Sequence, residues 1–195
     1  STMADLKGKA GIVTGGSSGI GFQIANVLAE AGATVYVISR TGKPKEGVGE
    51  SAPSVVHLKG DVGDVEAMKV MVADLVFYPY LKKSADKGRI INITSMSAHL
   101  GFSEVVPYCT SKGAVLAMTR ALAVEWAQDN ITVNSIAPGW FRSKMNEQVV
   151  DAAREQKILN RMPLHAYGDT RDLGKMAEFL VGDGASYITG QDFAV

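Results

Sequence analysis

Ala10-Gly11-Ile12-Val13-Thr14-Gly15-Gly16-Ser17-Ser18-Gly19-Ile20-Gly21 leads an apolar run through a turn of glycines and serines into a helical pattern that extends from about Ser18 to Ala31 and stops at Gly32. A strand, a tight turn and a helix in that order open a βαβ unit. The alternation continues downstream. Apolar or β-branched runs at Thr34 to Ser39, Val55 to Lys59, Ile90 to Thr94, Ile131 to Ala137 and Gln191 to Val195 read as strands. Helical patterns fall at Val65 to Leu75, Tyr108 to Gln128, Asn146 to Arg161 and Arg171 to Leu180. In Tyr108 to Gln128 the apolar side is assigned to Ala114, Val115, Met118, Ala121, Leu122 and Val124. Gly42 to Pro53, rich in Gly, Pro, Lys and Glu, reads as a solvated loop or frayed helix. Strands alternating with helices predict an α/β fold, a doubly wound parallel sheet between two helical layers, in a single domain over residues 1–195.

Composition removes several classes of function. A chain of 195 residues is one domain by length and can bury roughly 70% of its unfolded surface, so it can hold a real core. Its 20 basic and 20 acidic residues cancel, and no basic cluster exceeds a local pair, which argues against nucleic acid or an anionic membrane as partner. No apolar run approaches the ~20 residues needed to span a bilayer, and no basic segment followed by an apolar one marks the start. The expected location is the cytoplasm. Cys109 is the single cysteine, which excludes an intrachain disulfide and suits a reducing compartment. It reads as a packed small residue rather than a reactive thiol. His57, His99 and His165 lack metal-ligand spacing, so no metal site is expected.

Two constellations carry chemistry. Gly15, Gly19 and Gly21, between a strand and a helix, set a turn whose backbone N–H groups can meet a pyrophosphate at the positive helix end. The plainer alternative is an ordinary strand-to-helix turn. The second constellation is Ser95 at a strand's carboxyl end, Tyr108 thirteen residues later, and Lys112 one helical turn beyond that. Helix residues i and i+4 share a face, so phenol and ammonium can enter the cleft onto which the serine hydroxyl opens. A free phenol holds its proton too tightly at neutral pH to act as an acid–base group unaided, and a neighbouring ammonium favours the phenolate. A lone Tyr-x-x-x-Lys is commonplace on helix surfaces; joined to Ser95 and the glycine turn it names a chemistry.

Through Thr14 to Gly21, Ser95 and Tyr108-Cys109-Thr110-Ser111-Lys112, the chain resembles the short-chain dehydrogenase/reductase family from about Leu6 to Val195. The resemblance implies a Rossmann-type fold and an oxidoreductase that interconverts a secondary alcohol and a ketone with a nicotinamide cofactor. Ser95 would donate to the substrate oxygen, Tyr108 would move the proton, and Lys112 would act on both the phenol and the nicotinamide ribose. Cofactor contacts are expected from Gly15, Ser17, Ser18, Gly19, Ile20 and Gly21, from Ser39 and Arg40, from Asp61 and Val62 beside the adenine, and from Pro138, Gly139 and Ser143 along the carboxamide. Ser143 stands where threonine is usual, and Asp61 could equally cap the helix that follows. NAD-specific members place an Asp or Glu after the second strand. Here Arg40 follows Ser39, with Lys43 and Lys45 close behind, and a guanidinium can grip a 2′-phosphate in bidentate fashion. NADP(H) is therefore the expected cofactor, with NAD(H) left open because Arg40 could instead stack on adenine or stand as a solvated charge.

Ser97, His99 and Trp140 are the candidates to face substrate, and Asn134 matches a structural position that ties the sheet together. The loops Ser95 to Phe102 and Trp140 to Met145 resemble those of gluconate and polyol dehydrogenases, which points to a small carbonyl or alcohol such as a sugar acid or polyol. A 3-oxoacyl-[acyl-carrier-protein] reductase is the alternative, and a catalytically silent nucleotide-binding protein is the alternative of another class. The family commonly pairs the long helix with its symmetry mate, so a homotetramer is expected, with a dimer second.

The departure from the family lies between Asp61 and Ser95. Members carry there a further strand ending in Asn-Asn-Ala-Gly and a helix with an active-site asparagine. The 34 positions available already hold the helix from Val65, the Val76 to Lys83 segment and a strand, whereas one more βαβ unit takes roughly 30 residues. One crossover is missing near residues 75–76. A sheet without its central strand would expose two edges, so the segment is expected to belong to the natural chain, and the sheet is expected to break where it is lacking.

Overall fold

In a computed structural model of the chain, residues 5–60, 78–83, 87–141 and 151–195 are described. Six strands, β1 (Ala10–Thr14), β2 (Thr34–Ser39), β3 (Val55–Lys59), β4 (Gly88–Ile93), β5 (Ile131–Ala137) and β6 (Asp192–Ala194), form one sheet in the order β3-β2-β1-β4-β5-β6. Every pairing is parallel. Five helices accompany them among the described residues: α1 (Gly19–Glu30), α2 (Tyr78–Lys82), α3 (Val106–Glu125), α4 (Ala152–Arg161) and α5 (Thr170–Val181). All seven residues of β5 are buried, as a strand covered on both faces requires.

Successive strand residues point to opposite faces, and that alternation builds two cores. Val13, Val35, Val37, Ile91 and Ile136 pack against Ile24 and Leu28 of α1 and Leu173, Ala177 and Leu180 of α5. Their neighbours Ile12, Ile38, Ile90 and Val133 pack on the other face against Leu81 of α2, Ala123 of α3 and Trp126 just beyond it. Tyr78 anchors α2: its hydroxyl donates to Asp129 at 2.5 Å, Lys82 meets the same carboxylate at 2.6 Å, and its ring lies 5.3 Å from that of Trp126. Asn134 ties β5 to the chain before β6, donating to the Ile188 carbonyl at 2.9 Å and accepting from the Gln191 amide at 3.1 Å.

Three expectations need correction. First, the sheet does not break. β1 pairs directly with β4, Gly11 beside Arg89, Ile12 beside Ile90 and Val13 beside Ile91. Parallel pairing uses backbone groups that any strand presents, and the inward and outward residues of β1 and β4 match in phase, so the two edges close on each other. The helix read at Val65 to Leu75 and the seam near 75–76 lie outside the described residues. Second, the buried residues of α3 are Val115, Leu116, Thr119 and Ala123, whereas Ala114, Ala121 and Val124 are exposed. The helix takes its phase from a polar contact: the buried Asn92 amide donates to Thr119 at 2.8 Å. Third, α3 begins at Val106 with Pro107 in its first turn, where a missing N–H costs nothing. Of the pattern at Asn146 to Arg161, the described part is α4, capped by Asp151, whose carboxylate accepts from the Arg154 amide at 2.8 Å.

Candidate active site

The carboxyl ends of β1, β2, β4 and β5 come together along one edge of the sheet, where an open α/β sheet gathers its functional groups. At β1 the chain turns at Gly15, whose φ of +73° is a left-handed conformation that favours glycine. Its N–H donates to the Ile38 carbonyl at 2.8 Å, fixing the turn to β2. A Cβ on Gly21 would stand 2.7 Å from the Gly15 carbonyl oxygen, so only glycine lets α1 start this close to the strand. Ser18, at the N-cap, makes no side-chain cap bond. A helix amino end packed tightly against a strand, its amides not capped by the Ser18 side chain, fits the phosphates of a dinucleotide.

At the end of β2, Ser39 is buried and its hydroxyl accepts from the Gly42 amide at 3.2 Å, while Arg40 is exposed. The chain then folds back so that the Lys45 amide donates to the Ser17 carbonyl at 2.8 Å, and a cavity lined by Thr41, Lys43, Pro44, Lys45, Glu46, Gly47 and Gly49 opens next to Arg40. Two lysines and Glu46 therefore line one hollow beside the glycine turn, and Arg40 directly precedes its first lining residue in the chain. Asp61, Val62 and Ser143 lie outside the described residues.

β4 ends at Ile93, whose N–H stands 3.4 Å from the hydroxyl of Thr14 on β1. Ser95 follows as the N-cap of a short 3-10 turn, Met96–Ala98, its hydroxyl accepting from the Ser97 amide at 3.1 Å. The Met96 amide reaches the Pro138 carbonyl at 3.4 Å, and the Gly139 amide donates to the Val195 carbonyl at 2.8 Å, so the turn is joined to the end of β5. On α3, Tyr108 is 49% exposed, leaving the phenol accessible, and the Lys112 ammonium sits 5.7 Å from its ring centroid. Lys112 also donates to the Ile93 carbonyl at 3.0 Å, and burial pushes its ammonium below the usual lysine value. The predicted helical offset thus brings phenol and ammonium together, and Lys112 binds them to the end of the strand that leads to Ser95.

The three substrate candidates separate. Ser97 is buried and its hydroxyl has no hydrogen-bond partner among the described residues. His99 closes the 3-10 turn, and its Nε2 is taken by the Asp192 carboxylate at 2.5 Å. Trp140 is half-buried, its carbonyl accepting from the Gly168 amide at 3.0 Å. Sequence reasoning passed over Thr94 and Asp192. Thr94 reads as one more strand residue, and no local pattern marks Asp192 in a three-residue strand.

Comparison with known proteins places this geometry. The short chain dehydrogenase family model matches residues 9–77, and the model described as enoyl-(acyl carrier protein) reductase matches residues 76–195. The 3-oxoacyl-[acyl-carrier-protein] reductase of Rickettsia felis is 31% identical, covering 99% of this chain and 97% of its own. The 5-keto-D-gluconate 5-reductase of Escherichia coli K12 is 29% identical over 96% of this chain and 94% of its own. A crystal structure from Agrobacterium tumefaciens with bound NADP, described as a 2-deoxy-D-gluconate 3-dehydrogenase, superposes with a TM-score of 0.77 at 26% identity, covering all of this chain and 97% of that one. The Rickettsia alignment spans 235 positions against a chain of 195, which leaves at least 40 of them without a counterpart here.

Proposed function

The chain belongs to the short-chain dehydrogenase family, oxidoreductases of CH–OH groups, and on that premise we propose that it interconverts a secondary alcohol and a ketone with NADP(H), on a small hydroxylated substrate of the sugar-acid or polyol class. The observation that carries the reading is the placement of Lys112, 5.7 Å from the Tyr108 ring and hydrogen-bonded to the strand end that leads to Ser95. Bound, the cofactor supplies the hydride. Tyr108 delivers or removes the proton at the substrate oxygen. Lys112 favours the phenolate and would hold the ribose hydroxyls of the bound cofactor. Ser95, whose hydroxyl accepts from the Ser97 amide, keeps its own hydrogen to donate to the substrate oxygen, where negative charge develops in the transition state.

Arg40, Lys43 and Lys45 support the choice of NADP(H), since two of these cations line one hollow and the third directly precedes it where the second strand ends. Asp61, Val62, Pro138, Gly139 and Ser143 complete the proposed cofactor contacts, and Ser97 and Trp140 the substrate side. The similarity to a gluconate reductase and the shape shared with an NADP-bound 2-deoxygluconate dehydrogenase support the substrate class. A second reading, reduction of a 3-oxoacyl thioester, is favoured by the relative from Rickettsia felis. Binding without turnover, the reading of another class, rests on the crossover and its asparagine that this chain lacks, although the sheet itself is continuous among the described residues; turnover of any ketone in the panel below rejects it. We place the protein in the cytoplasm as a homotetramer built on α3. The deciding experiment is a panel of 5-keto-D-gluconate, 2-dehydro-3-deoxy-D-gluconate, xylulose and acetoacetyl thioester with NADPH and NADH. Reduction of a sugar-derived ketone with NADPH is expected, and turnover of the thioester alone overturns the first reading.

A further inference from the structure

Asp192 carries a carboxylate that is 3% exposed and gathers three side chains at once. Its Oδ2 lies 2.5 Å from Nε2 of His99, so that nitrogen carries the hydrogen. Its Oδ1 lies 2.5 Å from the Ser135 hydroxyl and 2.6 Å from that of Thr94. The Thr94 hydroxyl is also 3.1 Å from the Ile136 carbonyl. It has one hydrogen, and the nearer, charged acceptor takes it. A buried carboxylate is tolerated where donors meet it, and here they come from the two ends of one turn and from β5.

Two of those donors bracket Ser95. Thr94 immediately precedes it, and His99 is the residue on which the 3-10 turn begun by Ser95 closes, with the His99 amide donating to the Met96 carbonyl at 3.0 Å. Both ends of the five-residue turn are therefore held by one carboxylate on β6, and the third donor, Ser135, fixes that carboxylate to β5. In the middle of the turn the Met96 amide reaches Pro138 only at 3.4 Å, and the Ser97 hydroxyl makes no hydrogen bond among the described residues.

We propose that Asp192 is a positioning residue for the reaction, holding Thr94 and His99 so that the Ser95 hydroxyl is aimed at the substrate oxygen. This rests on the reading that Ser95 contacts that oxygen. A misplacement on the scale of an ångström at a donor of this kind costs roughly tenfold to a hundredfold in rate. His99 then acts as a strut of the turn, set apart from direct substrate contact.

The test is a double-mutant cycle on the fastest ketone of the panel above, with NADPH. Asp192→Asn keeps the shape but presents one fewer acceptor oxygen. The half-exposed His99→Phe removes one donor and keeps a ring, so the cycle does not depend on the buried variant folding. Each should lower kcat roughly tenfold or more, with cofactor Kd and KM changed by less than about threefold. In a Ser95→Ala background the same changes should cost no more than about twofold, the tolerance expected of independent sites, because nothing is left to aim. Equal losses with and without Ser95, an unchanged kcat in His99→Phe, or a loss that tracks cofactor affinity each overturns the inference. If Ser95→Ala alone keeps the wild-type rate, the functional reading fails first and takes this one with it. If Ser95→Ala is impaired and the two struts are silent, only this inference falls.

Discussion

At the scale of single residues the reaction divides among groups whose removal should read out differently. Tyr108→Phe deletes the transferable proton and keeps the ring, so cofactor binding should persist while turnover falls by at least ~10²-fold. Stopped assays with the best ketone between pH 6 and 9 check this, and a wild-type rate throughout would place the proton elsewhere. Arg40→Asp removes an attractive charge and adds a repulsive one beside the Lys43 and Lys45 hollow. NADPH affinity should drop at least tenfold or so while NADH is spared, as fluorescence titration of both cofactors would report. Burying the charge of Lys112 works against stability. Burial depresses its affinity for a proton relative to the unfolded chain. The folded protein therefore bears a cost at neutral pH, and it fades as pH rises through the folded value towards about 10, where the unfolded lysine also loses its proton. Lys112→Met should abolish turnover yet melt higher than wild type at pH 7, by about 2–4 °C for each kcal/mol relieved. That gap should narrow in melts at pH 9 to 10.

At the scale of elements, what the sequence disclosed depended on whether the signal was local. β1, β2, β3 and β5 fall on the residues read from their apolar runs, since a buried parallel strand is a short continuous block with turn residues at either end. The phase of α3 was not legible. Alanine, valine and methionine on several of its sides give no single stripe, and the contact that sets the phase joins Asn92 to Thr119 across 27 residues. Thr119 is the test of that account: its hydroxyl accepts from Asn92 and donates to the Val115 carbonyl at 2.9 Å. Thr119→Val keeps the volume and strands the Asn92 amide in the core, which should cost about 1–3 kcal/mol in urea unfolding. The same contrast holds in the site. Tyr108 and Lys112 were legible because one helical turn joins them, and the glycine turn because it is continuous. Asp192 was not, because its three partners lie 57 to 98 positions away.

At the scale of the whole molecule, α3 turns Ala114, Ala117, Ala121 and an 80%-exposed Val124 outward, small apolar residues over which a second helix can lie close. Multi-angle light scattering at micromolar concentration should show a tetramer, or failing that a dimer, and a monomer would remove the assembly proposal. The sheet that supports this face is parallel at every pairing. No strand can therefore find its partner through a hairpin; β1 meets β2 only after a helix intervenes, and Gly11 meets Arg89 only once 78 further residues are present. Loop-closure entropy is lost before such contacts repay it, so acquisition of structure from denaturant belongs to the slow regime of high contact order, milliseconds to seconds or beyond. Until β4 docks, β1 offers a bare apolar edge to any other chain nearby, and yield on dilution should fall as protein concentration rises.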